Sequence, residues 1–481
     1  MRKLAPLYIL AMLFLLVSCD LLIHEHTFSS ELSFDDTHHW YASTCEHTDL
    51  KFDIKEHSFS SELSSDDTHH WYASECDHEE VKTGIKEHSL GEWTKINDST
   101  AGNRCLDCNH DIEMPFIEVI KSAGLPIVEI NTEDGKTITS KEDWMDASME
   151  ISNASISSWN LDEIDIEIRG RGNSTWSQPK KPYAIKLSSK QEILGMPKHK
   201  RWVLLANYLD NSFMKNHVGF YISEKVGMEY TVRGEYVNLV LNGKYMGLYW
   251  FGEQIKVDKN RVDIVEEDDF LIEMDIYYDE AWKFKSGKNL PYMIKNDDDM
   301  TQERLNGLKD DIAKLENNLY VEDESKIEES IDIKSFAQFY VVNEIMSNQE
   351  LKHPKSCYFT FDNESKILKA GPVWDFDWYT ATSTTELLLT ETLYYDRLFE
   401  YEPFSYAVEE ILASDELSPE DLESEIERTE ELIRPSVMLD RLIWSRHNNP
   451  YGPNFDSFDK YVDYLIECTV DRLSYMKEYD F

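Results

Sequence analysis

The stretch GPVWDFDWYT, Gly371 to Thr380, sets Asp375 and Asp377 two residues apart among aromatic and apolar neighbours, directly after a Gly-Pro turn. On an extended chain residues i and i+2 lie on one side, so both carboxylates can converge on a single hard cation. Buried without a partner they would protonate or destabilise the fold, and a bound ion removes that penalty. An Asx-turn or a salt-bridged structural pair is the competing reading.

Three further stretches carry groups suited to phosphate or proton chemistry. RGRGNSTW leaves a strand with Gly170 and Gly172 alternating with Arg169 and Arg171, followed by Asn173. Glycines admit a ligand close to backbone amides and guanidinium forks match phosphate oxygens, although a Gly-Arg turn is by itself a common surface loop. In KKPYAIKL, Lys186 shares a strand face with Ala184, opposite Tyr183 and Ile185, and either meets solvent or aims at phosphates. VVNEIMSNQELKHPKSCYF ends a helix near Ser347 and turns through Asn348, Gln349, Glu350 and Pro354, where Glu350 is either a base or an ordinary solvated carboxylate.

The periodicities predict a scaffold for these groups. LPIVEINT (Leu125 to Thr132), IDIEIRG (Ile164 to Gly170) and YAIKLS (Tyr183 to Ser188) alternate at period two, and RWVLLANY follows at Arg201. Asn211 to Val226 carries helical periodicity, and Glu235 to Ile255 reads as a hairpin around Asn242-Gly243, a dipeptide that accepts positive φ. Long amphipathic helices are expected over Glu303 to Asn318, Ile333 to Ser347, Pro419 to Ile433 and Asp456 to Lys477, with a short strand near Ser356 to Asp362. A β-rich part followed by a helical part predicts an α+β, two-lobed body, whose cleft is the default place for a ligand.

The 481 residues carry 93 acids against 48 bases, a net charge of −45, which repels phosphate backbones and argues against nucleic acid as a partner. Arg2 and Lys3, the apolar run Leu4 to Val17 and the tetrapeptide Leu16-Val17-Ser18-Cys19 resemble a bacterial lipoprotein leader, with Cys19 the lipidated residue. The expected location is the cell envelope, lipid-anchored, periplasmic or surface-facing. The expected division is 1–19 leader, 20–112 stalk and 115–481 body.

The stalk holds eleven of the fifteen histidines. Two units align at a period of 31, His26 to Glu56 and His57 to Glu87, identical at 22 of 31 positions, and a third, diverged unit ends in CLDCNH. Units this small, expected to be β-rich, cannot fold on a core alone, and imidazole with thiolate is what zinc prefers. His39, Cys45, His47 and His57 form one expected set, His70, Cys76, His78 and His88 a second, and Cys105, Cys108 and His110 a partial third. Disulfides Cys45 to Cys76 and Cys105 to Cys108, or a merely polar stalk, are the alternatives.

In chain order, RGRGNSTW, KKPYAIKL, LLANYLDNSFMKN, VNLVLNGKYMGLYWFGEQI, NQELKHPKS and GPVWDFDW resemble the spore-coat protein H (CotH) kinase family over nearly all of residues 115–481. The resemblance implies an atypical protein-kinase-like fold with a β-rich N-lobe and a helical C-lobe, ATP in the cleft, magnesium, and transfer of the γ-phosphate to serine of a secreted or surface protein. It implies that Arg169, Gly170, Arg171, Gly172 and Asn173 lie near the phosphates and that Lys186 contacts them, YAIK being similar to the VAIK of ordinary kinases. It places Phe251 to Gln254, with Glu253, near adenine, and Asp375 and Asp377 on magnesium. Glu350 stands where an aspartate base is expected; it is one methylene longer, and misplacement by about an ångström can cost roughly a hundredfold in rate. The rival functions are a nucleotide-binding pseudokinase, an adhesive or metal-binding surface protein without phosphotransfer, and a structural envelope protein.

Overall fold

The computed structural model describes residues 25–481 except 98, 322, 383–385 and 446–452, so the leader and Cys19 lie outside the described residues. Its contacts divide the chain into two units, residues 1–92 with 103–112, and residues 93–102 with 113–481. Among the described residues no helix is long and apolar enough to cross a membrane.

The first unit contains two antiparallel meanders, β1 (Phe28–Phe34), β2 (His38–Ser43) and β3 (Lys51–Glu56), then β4 (Phe59–Ser65), β5 (His69–Ser74) and β6 (Lys82–Glu87). Sequence identity between the repeats becomes identity of turns. Asp35 accepts the backbone N–H groups of Thr37 and His38 at 2.9 and 2.8 Å, and Asp66 does the same for Thr68 and His69 at 2.9 and 2.8 Å. Lys51 covers the ring of Trp40 and Lys82 that of Trp71, at 3.1 and 3.4 Å from the ring centres.

Strands β7 (Thr94–Lys95), β8 (Thr100–Arg104) and β9 (Asp111–Pro115) and helix α1 (Phe116–Ser122) precede a closed seven-stranded barrel. Its strands are β10 (Ile127–Thr132), β11 (Met145–Ser152), β12 (Leu161–Gly170), β13 (Tyr183–Ile193), β14 (Met196–Leu205), β15 (Gly234–Leu241) and β16 (Lys244–Glu253), with α2 (Lys215–Lys225) between β14 and β15. Alternation fills the interior: Val128 and Ile130, Ile166 and Ile168, Tyr183, Ile185 and Leu187, and Tyr249 and Phe251 all point into one core. The parallel pairing of β10 with β15 closes the barrel, which the alternating runs could not indicate. Asn242 and Gly243 take φ of 51° and 71°, the expected type I′ hairpin turn.

The following half is not purely helical. A five-stranded sheet in the order β18-β19-β17-β20-β21 is assembled from β17 (Phe270–Met274), β18 (Lys283–Lys285), β19 (Pro291–Ile294), β20 (Cys357–Phe361) and β21 (Leu368–Ala370). Its helices are α3 (Gln302–Leu319), α4 (Ser325–Glu328), α5 (Ile333–Ile345), α6 (Tyr395–Leu398), α7 (Glu402–Ala413), α8 (Pro419–Ile443) and α9 (Phe458–Glu478). Thr301, Asp332, Ser418 and Ser457 start α3, α5, α8 and α9 by accepting a backbone N–H three residues on. Helix α8 runs ten residues past the expected end at Ile433, through Pro435. Tertiary bonds hold that extension: Asn238 donates to Ser436 Oγ at 3.0 Å, and Lys180 and the Leu248 N–H both donate to Asp440, at 2.6 and 3.0 Å. The second unit is thus α+β.

Candidate active site

The acids Asp375 and Asp377 do meet, but by a turn and not by strand alternation. Asp375 has φ of 70°, a left-handed conformation open to aspartate at modest cost. Phe376 is buried between them in sequence, its ring lying where a side chain at Gly219 would come within 2.3 Å, and its N–H donates to Asn216 Oδ1 at 2.9 Å. With Phe376 anchored, the two carboxyl groups face each other. Burial, then the charge and hydrogen bond of Asp375, raise the Asp377 pKa well above the usual carboxylate range.

Glu350 reaches the same place from the short turn after α5. Asn348 Oδ1 accepts the Glu350 N–H at 3.2 Å, the Glu350 side chain is buried, and Lys355 donates to it at 2.9 Å. Burial and the facing Asp375 outweigh that lysine and lift the Glu350 pKa to about 7. Asp275, at the end of β17, accepts from the backbone N–H groups of Tyr277 at 2.7 Å and Ser356 at 3.1 Å, yet burial lifts it to about 6. Ser356 Oγ in turn donates to Asp375 at 3.3 Å. Three separate segments therefore deliver four carboxyl groups to one locus.

Cations surround it. Arg171 lies within the field of Asp375, Asp377 and Glu273, and burial lowers its pKa against their pull; its guanidinium covers Trp374 at 5.3 Å. Lys215, from LLANYLDNSFMKN, donates to the Thr380 carbonyl at 2.8 Å and feels Asp210 and Asp377. Lys295 pairs with Glu273 at 2.8 Å and also with Glu280. Lys256 is lowered by burial and then by the like charges of Lys295 and Arg201. Cations that repel one another beside an acid cluster suit a polyanionic ligand.

The other expected residues fall into two groups. Arg169, Lys186 and Arg201 line up on the barrel exterior around the ring of Trp144, at 4.6, 5.7 and 5.0 Å, and Lys186 pairs with Glu167 on the adjacent strand. The register explains this, since Glu167 faces Lys186 and Lys186 faces Arg201 across β12, β13 and β14. Gly170 and Gly172 shape the loop: a Cβ at Gly170 would strike the Trp176 ring at 2.4 Å, and Gly172 has φ of 81°. Asn173 accepts from Lys141 at 2.9 Å. Glu253 departs from the adenine expectation: it is fully buried and accepts from Tyr230 and Arg233, each at 3.0 Å, with Arg261 at 3.7 Å, so its carboxylate is occupied by structural partners. The larger cavity, about 550 Å³ beside Asp269, Asp332, Asp362 and Pro372, is lined by none of the expected residues.

Asp275, Glu273, Lys256, Lys295, Lys355, Lys215 and Trp144 escaped the sequence reading. Lys215 lay inside a quoted motif, and Asp275 closes the apolar run FLIEM, a signal that could have been used.

A family model described as CotH kinase protein matches residues 168–476, and the chain belongs to that family. No curated protein matches the chain at a significant level.

The raised carboxyl groups set a pH dependence. Glu350 goes from an ordinary 4.5 to about 7, so the folded state keeps a proton that the unfolded chain has released. Its contribution is fully present below about pH 4.5 and is lost as pH rises to about 7. Without divalent cation, unfolding free energy should fall by about 2 kcal/mol between about pH 5.5 and pH 8 from Glu350 alone, at about 1.4 kcal/mol per unit. Millimolar magnesium should restore more at the higher pH; denaturant titrations at both values check this, and stability that rises with pH would contradict the cluster.

In the first unit the structure corrects the expected metal sets. Ligand atoms lie within 4.8 Å of one another in three groups: His39, His57, Cys76 and His78; His70, His88, Cys105 and Cys108; and His26, Cys45 and His47. His39 lies near the start of β2 and Cys45 two residues beyond its end, and the two fall in different groups. His70 and Cys76, at the corresponding positions of β5 and the bend after it, likewise fall in different groups. His110 falls outside these groups, with Nδ1 3.1 Å from Ser65 Oγ and its ring stacked 5.4 Å from that of His88. Neither Cys45 with Cys76 nor Cys105 with Cys108 forms a disulfide.

Proposed function

We propose that residues 115–481 form a two-lobed atypical protein kinase, the barrel and α2 acting as the β-rich lobe and α5 with α7, α8 and α9 as the helical one. It transfers the γ-phosphate of ATP to a serine hydroxyl of a secreted or surface protein. The supporting observation is the meeting of Asp375, Asp377 and Glu350, brought from two separate motifs, with Arg171 in their field. Asp375 and Asp377 offer hard oxygen donors, and burial beside Asp375 raises the Asp377 pKa, a penalty that a bound cation would relieve. Magnesium, when bound there, supplies charge neutralisation for the phosphate oxygens. Arg171 holds the transferring phosphoryl group, and Lys256 and Lys295 balance the charge of the others. Glu350, with a pKa near 7, accepts the serine proton as the hydroxyl oxygen bonds to phosphorus and ADP departs. Lys355 orients that carboxylate.

The same pairing of Glu350 with Lys355 favours a second reading, a nucleotide-binding protein without transfer, because one oxygen of the base is already engaged. Single-turnover labelling from radioactive ATP separates the two: transfer supports the kinase, and ATP-induced thermal stabilisation with no transfer supports the binder. The lipid on Cys19 would tether the chain to the cell envelope, and the charge of −45 would favour basic acceptor segments.

The placement of the cations yields a sharper comparison. Arg171→Met should lower kcat/KM by about a hundredfold, whereas Lys186→Met, already paired with Glu167 on the barrel exterior, should cost less than about tenfold. A larger loss in Lys186→Met would return Lys186 to the phosphates and displace Arg171.

A further inference from the structure

We infer that the histidine-rich unit is an array stitched by zinc ions, each held between two successive repeats and not within one. The first site takes His39 from β2 of one repeat and His57, Cys76 and His78 from the next; the second takes His70 from β5 and His88, Cys105 and Cys108 from the diverged unit. Each repeat therefore supplies one histidine forward and completes the site behind it.

Burial argues first. Between residues 26 and 92 the buried side chains among the described residues are His57, His70, His78 and Val81, so imidazoles occupy the place of an apolar core. A neutral imidazole out of water needs a partner for both ring nitrogens, yet Nδ1 of His78 and of His39 are buried without one. Both belong to the first group, and His78 is only 5% exposed.

Spacing argues next. Bonds of 2.0 to 2.3 Å in a tetrahedron place ligand atoms about 3.3 to 3.8 Å apart. Cys76 Sγ lies 3.5 Å from His57 Nδ1, Cys105 Sγ 3.7 Å from His70 Nδ1, and Cys108 Sγ 3.6 Å from His88 Nδ1.

The outer contacts point the same way. His57 Nε2 lies 2.8 Å from the Asp35 carbonyl and His88 Nε2 2.7 Å from that of Asp66, the same bond one period on. A carbonyl at Nε2 fixes the proton there and leaves the Nδ1 lone pair facing the cysteine, the usual arrangement around a metal-ligating histidine. Thiolate with imidazole selects zinc over calcium or magnesium. Four protein donors leave no open position, so these two sites are structural. His26, Cys45 and His47 offer three donors among the described residues and form the end of the series.

The test uses the full chain and measures its zinc content after exhaustive dialysis against a weak chelator. At least two ions per chain are expected, and Cys76→Ser should remove one of them. His39→Ala should remove the same ion, so that the double variant loses no more than either single one, whereas His39→Ala with Cys105→Ser should lose two. His39→Cys should keep the ion, which separates ligation from unfolding. Cobalt(II) as a spectroscopic probe should show one thiolate in the site lost with Cys76 and two in the other. A metal-free or disulfide-bonded unit overturns the inference, and so does an additive loss in His39→Ala with Cys76→Ser.

Discussion

Asp377→Asn should slow phosphate transfer by about a thousandfold and leave the fold standing. The rate loss follows from removing one of two oxygen donors for the ion that neutralises the phosphates, worth several kcal/mol in the transition state. The fold survives because burial and Asp375 favour the protonated form of Asp377 in the ion-free protein, and a neutral amide of the same shape takes its place. Melting without cation should therefore be unchanged or higher at about pH 8, while the stabilisation by magnesium should disappear. Asp375→Asn should share the loss of rate, since its carboxylate faces Asp377. Full activity in either variant would remove the acids from the reaction, and a collapse of the ion-free fold would make them a structural pair.

Asp440→Ala should give the largest change in stability, about 3 to 5 kcal/mol in denaturant titration. Lys180 and Asp440 are both fully buried, 2.6 Å apart, and Asp440 also accepts the Leu248 N–H at 3.0 Å. Truncating the acid leaves an ammonium group in the interior and a backbone N–H without its acceptor. The pair ties α8 to β16 and to the segment just after the RGRGNSTW loop, so the variant should also weaken ATP binding. Gly247 permits the close approach: its φ is 101°, and a Cβ there would come within 2.2 Å of Asp440 Oδ2. Replacing both partners, Lys180→Met with Asp440→Leu, should recover most of the lost stability, because the penalty belongs to the unpaired charge. A loss under about 1 kcal/mol in the single variant would show that water reaches the pair.

Local patterns made much of the second unit readable. Period-two runs marked β10, β12 and β13, Asn242-Gly243 fixed the hairpin, and apolar spacing located α3, α5 and α9. The short strands β17, β18 and β19 carry no legible signal because segments of three to five residues have no period of their own. Helix α8 continues past Ile433 through Pro435, which disfavours a helix interior, because the bonds to Asn238, Lys180 and Leu248 make the longer helix favourable.

The site divides along the same line. Asp375, Asp377 and Glu350 were legible as candidates, since acids inside apolar or turn segments are locally anomalous. Their partnerships were not: Arg171 stood in RGRGNSTW and Lys355 five residues after Glu350, yet neither pattern says which acid it faces, while Asp275 after β17 and Lys295 after β19 come from segments remote in sequence.

By itself the sequence determined residue type, period and repeat: the family, the alternating strands, the paired acids and the supply of histidine and cysteine. Tertiary structure alone decided partnership: Arg171 beside the acids, Lys186 on Glu167, Glu253 on Arg233, and histidine and cysteine groups drawn from neighbouring repeats. The reason is that spacing along the chain sets which face a side chain takes, whereas a charge or a ligand is satisfied by whatever the fold brings within a few ångströms of it.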